Sequence, residues 1–504
     1  MRMEPDSLRF RLLNLKAASF LLFILLIIHC LNTTAADPDL WGYLAFGRLF
    51  WGQRQFPYLD VFAYVPTLPW IYHEWLTGVV FYPLYRALGA PGLQVLKLTM
   101  GLATAGTIYL TARRRGADLW PTALILGCSI VGLSIGYSAI RAQVFTYFFF
   151  ALYLFLLETA RLSGNQRRLW PLAPVQLVWC NLHGGFLAGL GLIFLYALGE
   201  ALARRPFRAY LGWFLLAGLA TLVNPYGLKY WSYLAQAVIM KRPEITEWAS
   251  LLAGYQQGWV GGHEFAYSLA LIAVAVFLAG WARWREITPA LVLLFTLYLA
   301  VKHRRHQVFF ALAFGAYMPL LLTAYCRALS TRPGFMAWTQ RLGRKLPALA
   351  VLSLICLFAY RLAGDNPLKL AVPSEPGLVS IAEPYYPVGA IDYLEHYNLS
   401  GKLLVHFNWG EYCLWRLYPR CLVAIDGRYE TVYPESLCKE YFDFLMGREG
   451  WRHFLDHYPP DLILIGNRSR VYGLLSGDPR WRQVYADPGC ALFRRHGQVA
   501  PGPL

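Results

Sequence analysis

Residues 37–75, DPDLWGYLAFGRLFWGQRQFPYLDVFAYVPTLPWIYHEW, follow directly on the first long apolar segment of the chain and gather acidic, aromatic and imidazole groups in one place. Asp39 precedes an amphipathic run of Leu40, Tyr43, Leu44, Gly47, Phe50 and Trp51, which reads as a helix lying in a membrane surface. A second apolar run, His73 to Leu88, is too short to span a bilayer, which takes roughly 20 residues, and it ends at Gly89-Ala-Pro-Gly. It too is expected to lie flat, in the outer leaflet.

Composition sets the class around this stretch. Of 504 residues, 57% are hydrophobic and 15% charged, so a soluble globule of this size would leave too much apolar surface exposed. The bilayer is the expected solvent. A formal charge of +17 would suit nucleic acid, but the basic residues sit mainly in short loops between apolar segments, which is a topology signal and excludes that partner class. The first apolar segment runs into Asp37-Pro38-Asp39 with no small-residue cleavage site, so it is expected to be retained.

The positive-inside rule then fixes a register. Arg2, Arg9, Arg11 and Lys16 put the amino end in the cytoplasm, and residues 17–35 lead outward to Asp37. If 73–88 crossed, the Arg113-Arg114-Arg115 run would fall outside; lying flat, it lets the basic loops fall inside in succession. Crossings follow at 91–111, 119–139 and 143–160. Residues 170–203 form a tight hairpin folded at Asn181-Leu-His-Gly-Gly, and crossings at 209–223, 264–282, 287–301, 307–325 and 347–363 complete eleven spans, with an external loop from 224 to about 262. The fold class is an α-helical polytopic membrane protein, residues 1–364, with an external α/β domain over 365–504. In that domain, apolar runs such as KLLVHF, CLVAI and DLILIG alternate with helical or turn-rich pieces, and a terminal hairpin joins Trp481–Tyr485 to Ala491–Arg494. Cys413, Cys421, Cys438 and Cys490 fall there, where an oxidising compartment permits disulfides of undetermined pairing.

On this register Asp37, Asp39, His73, Glu74, Arg141, Gln143, Asn181, His183, Asn224, Glu247, His303, Arg304, Arg305 and His306 all fall at the outer ends of segments. Charges at that depth are costly unless paired or used, which makes the group a candidate site. Lys302, Arg304 and Arg305 also break the positive-inside rule locally and ask for an anion, such as a lipid phosphate. Plainer roles compete at each position. Asp39 could cap an interfacial helix, His73 and Glu74 could cap the second, Arg141 could snorkel to headgroups, and Asn181 and His183 could satisfy the backbone of a buried turn.

The order of these features resembles the GT-C superfamily of polyprenyl-phosphate-dependent glycosyltransferases. The motifs that carry the likeness are Asp37-Pro-Asp-Leu-Trp41, His73-Glu-Trp75, Asn181-Leu-His-Gly-Gly185, Asn224-Pro-Tyr-Gly227, and Trp409-Gly-Glu-Tyr412 followed by Asp426-Gly-Arg428. They resemble bacterial members of that superfamily whose substrates are not assigned. The resemblance implies that the acidic residue of the first external loop is catalytic base or metal ligand, at Asp37 or Asp39, with Asp39 favoured. Relatives often carry a further acidic residue in the second external loop, where this chain has Arg141-Ala-Gln143, so a divalent cation is left open and no other cofactor is implied. The tail residues Trp409, Glu411, Tyr412, Asp426 and Arg428 are similar in placement to the acceptor-site motif of oligosaccharyltransferase but do not match it, and imply an acceptor or tail site without peptide recognition.

The chemistry follows without the family. A sugar on a lipid phosphate has a good leaving group, so a carboxylate must activate an acceptor hydroxyl or amine while cations neutralise the departing phosphate. Arg141, Arg304 and Arg305 are the expected clamp. The expected partners are the bilayer, a polyprenyl-phosphate sugar and a glycan, lipid or protein acceptor, at the cell inner membrane. A carrier for lipid-linked sugars or other anions is the alternative; it would place polar residues toward the cytoplasmic side and broken helices near the midplane.

Overall fold

A computed structural model describes residues 5–137, 139–240, 245–332, 345–376 and 385–497. The basic side chains at 2, 9, 11 and 16 and the Arg344-Lys345 pair, expected on the cytoplasmic side, lie outside the described side chains.

The first part of the chain is helical: α1 (Pro5–Cys30), α2 (Pro38–Gln53), α3 (Trp75–Arg114), α4 (Leu119–Gly136), α5 (Gln143–Ser163), α6 (Leu172–Leu182), α7 (Leu187–Leu202), α8 (Arg208–Ala220), α9 (Leu228–Ile239), α10 (Leu251–Gln256), α11 (Gly262–Trp281), α12 (Ile287–Lys302), α13 (Gln307–Ser330) and α14 (Lys345–Asp365). Among the described residues, six helical stretches are long and apolar enough to cross a membrane: Trp75–Arg114, Leu119–Gly136, Gln143–Ser163, Gly184–Leu202, Gly262–Trp281 and Arg304–Ser330. Ala17–Cys30, Arg208–Ala220 and Ile287–Lys302 are apolar but shorter. α13 has every residue from Gln307 to Pro319 buried, so it packs all round, as an apolar helix in the middle of a bundle must.

Two breaks fall where glycine-rich pieces interrupt the apolar pattern. α3 is two helices meeting at Gly89, whose φ of 62° and ψ of −153° suit a residue without a Cβ. α6 and α7 are separated by extended His183 and a single 3₁₀ turn over Gly184–Phe186. The segment after Asn224 is more ordered than a polar loop suggests, since it contains α9 and α10.

In α2, Leu40 to Gly47 are buried against protein without interruption. Glycines permit this. A Cβ on Gly47 would stand 2.3 Å from the carbonyl of Gly78, and one on Gly42 would stand 2.3 Å from the Glu411 carboxylate. α2 is thus pressed between α3 and the C-terminal domain.

That domain comprises α15 (Val388–His396), β1 (Gly401–Val405), α16 (Gly410–Leu417), β2 (Cys421–Val423), α17 (Tyr429–Val432), α18 (Glu435–Leu445), α19 (Arg452–His457), β3 (Leu462–Gly466), α20 (Arg470–Ser476), β4 (Trp481–Ala486) and β5 (Cys490–Arg495). The sheet order is β2-β1-β3-β5-β4, parallel across β2, β1 and β3 and antiparallel in the β4–β5 hairpin. The four cysteines of the domain are buried, and Cys413, Cys421 and Cys490 are free. The edge of β2 pairs with the loop between α2 and α3: Tyr64 N–H donates to Val423 O at 3.1 Å and Val423 N–H to Phe62 O at 2.9 Å. Arg428 adds a buried clamp, bidentate on Asp426 and paired with Asp60, with its guanidinium over Trp70.

Polar side chains collect at both ends of α5. At its C-terminal end, Arg161 reaches Glu158 and Glu286 at 2.6 Å each, Arg115 pairs with the same two carboxylates, and Tyr196 donates to Glu158 at 2.8 Å. This network is closed on itself. The candidate site lies at the N-terminal end.

Candidate active site

Asp37 begins α2. Its side chain accepts the Asp39 amide proton at 3.0 Å and Pro38 follows at the first helical position, the pattern of an N-cap. Asp39, in the first turn, projects toward Arg141 from the connection between α4 and α5. Three carboxylates surround that guanidinium: Asp37 Oδ1 is 3.3 Å from Nε, Asp39 Oδ2 is 2.5 Å from Nη2, and Glu247 Oε1 is 2.9 Å from Nη1.

One cation cannot compensate three anions at full strength. Burial lifts Asp37 to about 7 against the pull of Arg141, with repulsion from Asp39 and Glu247 adding to the rise. Asp39 is raised too, first by burial. Glu247 goes the other way, held at about 2 chiefly by Arg141 and then by Arg305. Glu247 therefore carries the firm negative charge, and Asp37 and Asp39 hold their protons more tightly than ordinary carboxyls.

Beside them Glu74 forms a second node. Tyr43 donates its hydroxyl proton to Glu74 Oε2 at 2.6 Å, and His183 Nε2 and His73 Nε2 stand 3.2 and 3.5 Å from Oε1. His183 Nδ1 accepts the Gly185 amide proton at 2.9 Å and faces Thr146 Oγ1 at 2.7 Å, while Thr146 accepts from Trp179 Nε1 at 2.8 Å. A ring nitrogen that accepts an amide proton carries none, so neutral His183 has its proton on Nε2, directed at Glu74. Burial works against the charge of Glu74, but His73, His183 and the Tyr43 hydrogen bond outweigh it and hold the group at about 2.

The turn between α12 and α13 supplies the remaining cations. Arg304 is engaged by Glu264 in a fork of two 2.8 Å hydrogen bonds. Arg305 lies over the Trp248 ring, 4.7 Å from its centroid, and among the described residues no carboxylate pairs with it. His303 Nδ1 is 2.8 Å from the Trp248 carbonyl, and both His303 and His306 meet the indole edge-on.

Other expected residues turn to the protein itself. Asn181 donates to Leu177 O and Val223 O and accepts from Trp75 Nε1, which uses its amide on the hairpin backbone. Asn224 closes its own turn through Thr221 O and Tyr226 N–H. Gln143 is buried at the start of α5, its Oε1 without a hydrogen bond. In the tail, Trp409 donates to Tyr385 O, Tyr412 packs against Trp41 and Tyr386, and Asp426 and Arg428 form the clamp on Asp60. Glu411, like Tyr412, reaches α2, where its Oε2 accepts the Gly42 amide proton at 3.1 Å.

No family model matches the chain, and no curated protein matches it in sequence. Solved structures do match in shape. ArnT from Cupriavidus metallidurans, bound to undecaprenyl phosphate, superposes with a TM-score of 0.54 at 13% identity, over 98% of this chain and 99% of that one. The archaeal oligosaccharyltransferase AglB from Archaeoglobus fulgidus, in complex with an inhibitory peptide and a dolichol-phosphate, gives 0.55 at 11% identity, over 92% and 70%. A mycobacterial arabinofuranosyltransferase, AftD, gives 0.51 at 16% identity and covers 95% of this chain but 41% of its own. These neighbours are GT-C glycosyltransferases. The chain has the GT-C fold.

Within this GT-C fold, the donor set does not fit a divalent cation as it stands. Asp37, Asp39 and Glu247 converge on a guanidinium that fills the space between them, and among the described residues no group of three or more His, Cys, Asp or Glu side chains is arranged to hold a metal. Tyr43, Thr146, Trp248 and Asp60 are site or clamp residues that sequence reasoning missed. Tyr43 was visible only as one apolar position of the α2 stripe, and nothing local distinguishes Thr146 from any helical threonine.

Proposed function

We propose that the chain is an integral-membrane glycosyltransferase that moves a sugar from a polyprenyl-phosphate donor to an extracytoplasmic acceptor, with inversion, and that Asp39 is its base. The observation that carries this reading is a raised, partly open carboxylate, Asp39, in contact with Arg141, at the same end of the helices as Arg305, for which there is no carboxylate partner among the described residues. The fold shared with structures that hold undecaprenyl phosphate and dolichol-phosphate supports the same donor class.

Asp39 takes the proton of the acceptor hydroxyl or amine, the freed lone pair attacks the anomeric carbon, and the bond from that carbon to the phosphate oxygen breaks with its electrons on the leaving polyprenyl phosphate. Arg305 meets the charge that builds on that phosphate, and Arg141 fixes the orientation of Asp39. In-line attack inverts the anomeric centre. Eleven spans, a cytoplasmic amino terminus, an extracytoplasmic tail and an inner-membrane location belong to this proposal. The closed network of Arg115, Glu158, Arg161 and Glu286 at the opposite end speaks against a carrier, which needs open polar groups leading across.

The test is transfer by purified protein supplied with polyprenyl-phosphate sugars. Asp39→Asn is expected to lower turnover by about 100-fold or more, the range of a lost general base. Unchanged transfer in that variant removes Asp39 as the base, and a wild-type protein that cleaves no such donor overturns the activity itself.

A further inference from the structure

Glu411 belongs to the C-terminal domain, in the first turn of α16, yet its carboxyl group is buried against α2. Oε2 accepts the Gly42 amide proton at 3.1 Å. Two glycines make room for it. A Cβ on Gly42 would lie 2.3 Å from Oε2, and a Cβ on Gly427 would lie 2.8 Å from Oε1. The same Gly427 position stands 3.3 Å from Asp39 Oδ1, so the tail carboxyl and the candidate base border one small space.

Arg428 opposes the shift of this group only in part. Arg428, two residues beyond Asp426, is committed to Asp426 and Asp60. The remaining titratable groups whose fields involve Glu411 are Asp39 on α2, Tyr72 in the loop between α2 and α3, Tyr386 ahead of α15 and Asp426 after β2, none of which is positive. Burial first, and then Asp39 and Asp426, push the carboxyl well above the usual carboxylate range.

We propose that Glu411 is a positioning residue for the transfer reaction, through which the C-terminal domain holds the first turns of α2 and, with them, Asp39. This rests on the glycosyltransferase reading above. It assigns the tail a part in the chemistry besides any contact with acceptor. A base displaced by about 1 Å can lose about 100-fold in rate, so holding the helix that carries it is a sufficient role.

The experiment compares Glu411→Leu and Glu411→Gln in the full chain. Leucine keeps the bulk and removes the hydrogen bond, whereas glutamine keeps an oxygen for the Gly42 amide. E411L is expected to lower kcat by about 10- to 100-fold with the donor KM unchanged, and E411Q to recover most of that loss. Amide hydrogen exchange over residues 37–47 is expected to quicken in E411L and to stay near wild type in E411Q. If E411L fails to fold, Gly427→Ala, which presses a methyl group on the same carboxyl, carries the comparison with the same expected fall in kcat. E411L with wild-type kcat overturns the proposal, as do equal losses in E411L and E411Q, which would mean that charge rather than position matters. A wild-type protein without transferase activity defeats the function reading alone; exchange in α2 then decides on Glu411, and unaltered exchange in E411L overturns it.

Discussion

Asp37 closes the first turn of α2, and its side chain is 13% exposed, whereas that of Asp39 is 35% exposed and open to an approaching hydroxyl. Both carboxyls are raised by burial and repel one another, so they titrate as a pair. A base must be deprotonated to act, and kcat/KM is therefore expected to rise with pH through about 7, where Asp37 is placed. Asp37→Asn removes one negative charge and leaves Arg141, which favours the ionised form of Asp39. The acid limb of the pH profile should then move to lower pH; a limb that stays in place would contradict the coupling. For the donor phosphate, Arg305→Gln should raise the donor KM by about 10- to 100-fold, the worth of a charge-assisted hydrogen bond. Arg304→Gln should leave that KM alone and lower stability instead, since Glu264 already occupies its guanidinium. Sequence position put Arg304 and Arg305 together as phosphate ligands because both follow α12. Which of them meets a carboxylate depends on Glu264, forty residues away, and could not be read locally. Asn181 and Asn224 illustrate the same limit, for an amide in a motif looks alike whether it binds a ligand or the chain's own carbonyls.

At the scale of elements, the breaks were legible and the close approaches were not. Gly89 and the Asn181–Gly185 piece interrupt apolar runs, and the structure bends at both. The β runs of the tail read correctly because alternating apolar residues bounded by turns leave few other choices, and the 481–494 hairpin is present. α2 was harder. Its apolar stripe suited a helix half in lipid, but Gly42, Gly47 and Gly78 let partners reach both sides, and a glycine does not announce what will approach it. The Asp426-Gly-Arg428 motif proves to be a clamp from the tail onto the loop between α2 and α3. Arg428→Leu would leave Asp60 and Asp426 buried without their cation, and the loss of a buried partner costs about 3–5 kcal/mol. Thermal unfolding should shift down accordingly, with limited proteolysis appearing first between residues 56 and 72. A variant as stable as wild type would show that the clamp does not hold the loop.

Across the whole molecule, the charged groups divide between the two ends of the helices. The Arg115 network is neutral and closed, whereas the Arg141 end holds unequal charges and one guanidinium, Arg305, without a carboxylate partner among the described residues. Composition and loop charge made the membrane class legible, since both depend on sums over many residues. The part played by the tail was not, because it depends on which tail side chains, Glu411 and Tyr412 among them, reach α2. Stability should follow the groups held low. Glu74 is at about 2 in the folded protein against an ordinary 4.5, so its contribution is complete above that ordinary value and is lost as pH falls through about 2. Acid unfolding of Glu74→Gln should lack this component; identical acid curves would place the charge of Glu74 elsewhere in the balance. The most direct measurement of the account is a structure of the protein with a bound polyprenyl phosphate. The phosphate is expected on Arg305, on the side of the helices where Asp39 and Arg141 meet. A phosphate seated instead among Arg115 and Arg161 at the far end, or away from both guanidinium groups of the site, would contradict it.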